Sequence, residues 1–400
     1  MAIFLHGAGI TPWHNEFDHS DYLRNAAGHD TKLSDKAALD LRMRLNKAGV
    51  RVSAEFCNDT IVWMASRTTA HPVRDYLAGL VWKREPRLDM FLHTHCGAED
   101  NEYHRLVGAK WLIAAVRRVR EPGCKFDNIL VFEGAQNAGK SSVFRILAGD
   151  EYFTDGVAVG VGPKETIELT GGKWIAESAE LSGLSKRDVN EVKQALSKQS
   201  DMARLSYGRF PTEILRQFVM CGTTNNAKYL NDVSGGRRFW GVTIGKIDLA
   251  ALRRDRDQLW AEAAYRESQG ERIFLQDAEY DLAVAEQAKR EVDDPFEMHV
   301  EELLSGFAYG VVWKTDMFKA LGYESAAKGG GAVGGKLGPI MAKYGWHDGR
   351  VKDKDNDNAD RRCFIKAPVK DVGCDAPPPQ RMLALHSKDK VSSFKYGRGA

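Results

Sequence analysis

The sequence lacks a C-x-x-C pair, an apolar run of membrane-spanning length and any large excess of one charge. Its six cysteines, Cys57, Cys96, Cys124, Cys221, Cys363 and Cys374, are scattered through 400 residues. That excludes a disulfide-stapled scaffold and fits reduced thiols in a cytoplasmic protein. Without a stretch of ~20 apolar residues there is no transmembrane helix to expect. The opening "MAIFLHGAGI" is short and lacks the basic start of a signal peptide. A formal net charge of +2 excludes a globally basic nucleic-acid binder, so any such surface is local. No internal repeat is present. At 43% hydrophobic and 28% charged residues, the composition is that of an ordinary soluble chain with room for two or three domains.

One cluster of metal-type side chains exists, "HTHCGAEDNEYH", with His93, His95, Cys96 and His104. Its spacing follows no standard zinc pattern, so a solvated loop leading into a helix is expected there.

Periodicity divides the chain. Residues 1–120 read as a helical N-terminal domain, with Leu39, Met43 and Leu45 on one helix face that stops at Gly49. Residues 121–270 alternate short apolar runs with helical patterns, as a parallel α/β sheet does. Residues 271–295 form a charged connector. Residues 296–368 give two or three short helices and then a polar hairpin, the order of a winged helix. From 369 to 400, three successive prolines and a basic end predict a disordered tail.

What the sequence does have is "NILVFEGAQNAGKSSVFRILAGD", residues 128–150. Gly134, four residues, Gly139, Lys140 and Ser141 match G-x-x-x-x-G-K-[ST] in full. An apolar strand precedes it, and Val143, Phe144, Ile146 and Leu147 follow at helical spacing. This is the strand–loop–helix setting of a phosphate-binding loop. The glycines let the backbone curl so that N–H groups of Gly134, Gln136, Asn137, Ala138, Gly139 and Ser142 face phosphate oxygens. The helix start adds unpaired donors and the positive end of a dipole. Lys140 would reach the β- and γ-phosphates of ATP, and the Ser141 hydroxyl would bind Mg²⁺.

Hydrolysis also needs carboxylates at a neighbouring strand end, to hold Mg²⁺ and align water. "KWIAESAEL" (173–181) offers Glu177 directly after an apolar run and Glu180 three positions on. Glu177 and Ser141 are thus the expected metal ligands. In "RQFVMCGTTNN" (216–226) a strand ends in Thr223, Thr224, Asn225 and Asn226. Ring ATPases place a polar γ-phosphate contact on the strand between the two nucleotide motifs, and Asn225 fits that place.

The ordered set "HPVRDYLAGLVW", "REPGCKF", "FEGAQNAGKSS", "GKWIAESAEL", "RQFVMCGTTN", "GGRRFWGV" and "DQLWAEA" resembles the virulence-associated E proteins of phages and mobile islands, over roughly residues 70–270. That family is similar to the superfamily III helicases, hexameric AAA+ rings of phage or plasmid replication. One departure is Ser178, where a second carboxylate commonly follows the first; the next acid is Glu180. Related long proteins carry a primase domain, and this sequence shows no primase motif, so priming would come from another chain.

The resemblance implies that Arg237 or Arg238 of "GGRRFW" reaches a neighbouring subunit's γ-phosphate. It also implies that "SKQSDMARLSYGRFP" faces a ring pore, where Lys198, Arg204, Tyr207 and Arg209 would meet single-stranded DNA. The winged-helix-like unit offers a second basic set, Lys336, Arg350, Arg361 and Arg362, beside acids that offset it. The expectation is an ATP-dependent DNA helicase or DNA-stimulated ATPase of a phage or mobile element, with an AAA+-like P-loop core. The alternatives are a non-catalytic DNA-binding or interference protein on the same fold, or a kinase. A kinase would need an acceptor pocket and a basic lid, and neither is legible.

Overall fold

The protein is described here by a computed structural model, which covers residues 1–157, 162–178, 186–203, 211–229, 238–290, 295–305, 307, 309–323, 332–353 and 359–366. The chain divides into two compact units, Met1–Val292 and Asp293–Ala400.

The first unit opens with α1 (Ala2–Gly7), β1 (Thr11–Asn15), β2 (Ser20–Arg24), β3 (Asp30–Lys32), α2 (Asp35–Lys47), α3 (Ala54–Ala65), β4 (Thr69–Ala70) and α4 (Pro72–Gly79). Among the described residues these strands form a four-stranded sheet ordered β3-β2-β1-β4. The expectation of a mostly helical domain over residues 1–120 missed this sheet, whose strands are too short and polar to show a clear alternation. The expected helix face is corrected as well. In α2 the buried side chains are Ala38, Leu41 and Leu45, packed with Cys57 and Ile61 of α3, whereas Leu39 and Met43 are 47% and 49% exposed. Ser34 caps this helix by accepting from the Ala37 N–H, and Gly49 takes φ +83° just beyond it.

The remainder of the unit is α5 (Phe91–Cys96), α6 (Glu102–Arg120), β5 (Ile129–Glu133), α7 (Lys140–Ala148), β6 (Phe153–Thr154), α8 (Pro163–Thr170), β7 (Ile175–Ser178), α9 (Lys186–Ser197), β8 (Ser200–Ala203), β9 (Thr212–Leu215), β10 (Val219–Thr224), β11 (Phe239–Thr243), α10 (Leu249–Ser268) and α11 (Asp277–Ala288). Among the described residues, five strands make a parallel sheet ordered β11-β5-β10-β7-β6. The inner strands begin as apolar runs because helices cover both faces, and they end in Glu133, Thr223-Thr224 and Glu177-Ser178. Leu130 and Phe132 point to one side and join the core built with α6, α7 and α10. Ile129 and Val131 point to the other and pack on Val192 and Leu196 of α9.

Helix α6 is buried on nearly every side, within the core of the parallel sheet rather than in a separate N-terminal domain. Its Trp111 N–H donates to the Met220 carbonyl of β10 at 2.9 Å. Trp174 stacks on Trp260 with centroids 4.1 Å apart, and Phe132 stacks on Phe144 at 4.4 Å. Each fully buried aromatic is worth about 1.5–3 kcal/mol of burial. The Phe132–Phe144 pair ties α7 to β5 and fixes the two elements that flank the loop between them.

The second unit contains α12 (Pro295–Leu304), β12 (Gly310–Trp313), α13 (Lys314–Ala320), α14 (Ala332–Lys343), β13 (His347–Asp353) and β14 (Ala359–Lys366). Among the described residues its antiparallel sheet is ordered β12-β14-β13. Val300, Met317, Leu337, Met341, Trp346 and Phe364 form its core.

Candidate functional site

The loop from Gly134 to Gly139 leaves the C-terminal end of β5 and feeds α7. Gly139 sits at φ +89° as the helix N-cap, and Asn137 takes φ +62°, a left-handed conformation that Asn tolerates. Gly139 brings no capping side chain to α7, so among the described residues the N–H groups of its first turn are left without a helical partner or a cap. Gly134 lies against Ile244, where a Cβ would come within 3.0 Å of the Ile244 side chain.

Lys140 is buried and folds back over the loop. Its Nζ donates to the Gly134 carbonyl (2.7 Å), the Ala135 carbonyl (2.8 Å) and Asn225 Oδ1 (2.8 Å). Burial lowers the affinity of its ammonium for the proton, and the charge of Glu177 opposes that shift. The Ser141 hydroxyl donates to Glu177 Oε1 at 2.8 Å, and the Thr223 hydroxyl donates to the same oxygen at 2.8 Å. Glu177 is 0% exposed, and its Oε2 is buried with no hydrogen-bond partner among the described residues. Because β10 lies between β5 and β7, Asn225 and Thr223 stand between the Lys140 side and the Glu177 side.

The structure thus brings Gly134, Gly139, Lys140, Ser141, Glu177 and Asn225 together. Gln136 and Asn137 are exposed on the loop, and Ala138 and Ser142 are half-buried. Thr223 was not singled out from the sequence, although its place one strand across from the carboxylate is a usable signal. Glu180, Arg204, Tyr207, Arg209 and Arg237 lie outside the described residues. Arg238 stands at the opposite end of the sheet from Lys140, at the start of β11. Its Nε bonds Asp127 Oδ2 at 3.2 Å, and its Nη1 donates to the Lys193 carbonyl.

The remaining basic candidates are spread out. Lys198 is exposed, 3.9 Å from Asp201. Lys336 is exposed on α14. Arg350 and Arg362 are exposed and directly opposite one another across β13 and β14, while the side chain of Arg361 lies outside the described residues. Among the described residues no cluster of three or more His, Cys, Asp and Glu is placed to hold a metal ion. The 93–104 cluster is packed rather than solvated: His95, Cys96 and His104 are buried, and burial pushes the Cys96 thiol up. His104 Nδ1 lies 2.7 Å from the Glu99 carbonyl, which closes the turn into α6.

The virulence-associated protein E-like domain matches residues 77–292, more than half of the chain. The chain belongs to that family. The matched stretch of this virulence-associated E-like protein holds the whole parallel sheet and every residue of the Lys140–Glu177–Asn225 cluster. A search of curated proteins finds no significant match. Among solved structures, the apo C-terminal region (305–718) of NrS-1 shares the fold at 11% identity and TM-score 0.50, covering 91% of this chain and 98% of that one. A second apo structure of that region, the A form, aligns at 12% identity and TM-score 0.51 over the same shares. No helix of this virulence-associated E-like protein, among the described residues, is long and apolar enough to cross a membrane.

Proposed function

We propose that this chain is an ATP hydrolase that works on DNA, an ATP-dependent helicase or DNA-stimulated ATPase for replication of a phage or mobile element. The observation that carries the reading is the convergence of Lys140, Ser141, Glu177 and Asn225 at one end of a parallel sheet. A buried lysine whose acceptors among the described residues are two loop carbonyls and an amide oxygen is poised to exchange them for phosphate oxygens. The uncapped first turn of α7 supplies N–H donors to the same anion.

The residues fit a divalent cation. Glu177 Oε2 is a buried acceptor without a donor among the described residues, and the Ser141 hydroxyl is next to the same carboxylate. Ser141 and Glu177 would hold Mg²⁺, which would neutralise charge on the β- and γ-phosphate oxygens. Lys140 binds those phosphates. Asn225, bonded to Lys140, contacts the γ-phosphate or the attacking water, and Glu177, with Glu180 as the second acid, orients that water.

Arg238 is bonded within its own chain, which supports Arg237 as the residue that crosses to a neighbouring subunit in a homohexameric ring. The order helix, strand, two helices and an antiparallel hairpin in the second unit supports a winged helix. Arg350 and Arg362, placed opposite each other, repel unless an anion lies between them, which supports a phosphate contact there. Lys198, Arg204, Tyr207 and Arg209 would meet a single strand in the pore. The setting is the cytoplasm of a bacterial host, with priming from a separate chain.

The test is the rate of ATP hydrolysis with and without single-stranded DNA. The reading expects turnover that DNA stimulates. Turnover unaffected by DNA contradicts the DNA-coupled part, and no turnover contradicts the whole.

A further inference from the structure

We infer that Arg290 is a positioning residue for Asn225, acting through Glu133 and Tyr229; the inference rests on the hydrolysis reading above. Glu133 is the last residue of β5, immediately before Gly134, and it is buried. Its carboxylate is fully engaged. Oε1 accepts from Arg290 Nε and from the Tyr229 hydroxyl at 3.0 Å, and Oε2 accepts from the Thr243 hydroxyl at 2.9 Å. Arg290 is equally buried, and its Nη1 donates to Glu286 Oε2 at 2.8 Å. Burial works against its charge, but the hydrogen bond and charge of Glu133 outweigh burial and hold it protonated. The Arg290 carbonyl accepts the Tyr229 N–H at 3.1 Å.

Tyr229 is therefore held at both its backbone and its hydroxyl by the Arg290–Glu133 pair. Four positions upstream, Asn225 is held by Lys140. Residues 225–229 are a short span between these two anchors. The contacts close on themselves: Arg290 to Glu133, Glu133 to Gly134 by the chain, Gly134 to Lys140, Lys140 to Asn225, and Asn225 along the chain to Tyr229 and Arg290. When Lys140 turns to a triphosphate, Asn225 loses its tether on that side. The Arg290 end then keeps the amide in register with the γ-phosphate. Gly241 makes room for the pair, since a Cβ there would collide with Arg290 Nε and Glu133 Oε1. Among the described residues the polar partners of the Arg290 side chain are Glu133 and Glu286 and not the loop or Ser141, so its effect on chemistry is indirect.

The test combines Arg290→Met with Glu133→Gln, which removes both charges while leaving an amide for Tyr229 and Thr243. The double variant is expected to keep its melting temperature and its affinity for a non-hydrolysable ATP analogue, while kcat falls about 10²-fold, the scale of an ångström misplacement. Adding Asn225→Ala should lower kcat no further, because both changes disable the same group. Arg290→Lys, which keeps the charge, should show the same non-additivity on a smaller loss and serves if the double variant does not fold. Unchanged kcat in a folded variant, affinity lost in step with kcat, or a loss that multiplies with Asn225→Ala overturns the role of Arg290 alone. A wild-type chain without ATP turnover overturns the hydrolysis reading, and this role with it.

Discussion

Among the described residues, buried Glu177 carries two hydroxyl hydrogen bonds on one oxygen and none on the other. An unpaired buried acceptor of this kind costs about 1–3 kcal/mol or more, so it is kept for something other than stability. Glu177→Gln should bind ATP with near-normal affinity and release no phosphate above background, as nucleotide titration and a phosphate assay would show. An active Glu177→Gln beside an inactive Glu180→Gln would move the essential acid to Glu180. The two adjacent arginines should separate by the same logic. Arg238 is bonded to Asp127 and a carbonyl, so Arg238→Ala should lower stability by roughly 1.5–3 kcal/mol, the worth of a charged hydrogen bond. Arg237→Ala should leave the melting temperature alone and reduce turnover. Thermal unfolding and ATPase rates on the pair check both; a turnover loss confined to Arg238→Ala would reverse the assignment.

The hairpin of β8 and β9 is anchored at its base by a bidentate pair, Arg216 Nε to Asp201 Oδ2 at 2.6 Å and Nη2 to Oδ1 at 2.9 Å, both residues buried. Removing one member leaves an uncompensated charge. Arg216→Met should therefore cost about 3–5 kcal/mol, and Arg216→Met with Asp201→Leu should recover most of it in a denaturant titration. If the double variant is as unstable as the single one, the pair is not what anchors the hairpin. Which elements were legible in the sequence follows from how local their signals are. The strand, loop and helix around Lys140 read correctly because the motif fixes residue types at fixed offsets within about a dozen positions. Short polar strands such as Thr11–Asn15 and Asp30–Lys32 carry no such signal, and only their pairing makes them strands. In α2, Leu39 and Met43 are as helical in spacing as Leu41 and Leu45; which face is buried depends on α3, which periodicity cannot see. The Glu133–Arg290 pair joins residues 157 positions apart, so its only trace in the sequence was a charged residue ending an apolar strand.

At the scale of the whole molecule, the reading requires a site completed across a subunit boundary. If Arg237 acts in trans, ATPase activity should rise faster than linearly with protein concentration. Mixing Arg237→Ala with Lys140→Ala subunits should restore a fraction of it, because an intact loop and an intact arginine meet at some boundaries. Loss of such an arginine typically costs ~10³-fold or more, so partial rescue stands well above either variant alone. Linear dependence with no rescue would mean that the arginine acts within its own chain or not at all. Beneath ring, pore and winged helix lies one claim, that the loop from Gly134 to Ser141 binds and splits ATP. Phosphate release from ATP by the wild-type chain and by Lys140→Ala, at equal concentration with Mg²⁺, tests it most directly. The account predicts turnover in the first and background in the second, with the fold of both intact; near-normal turnover in a folded Lys140→Ala would contradict it.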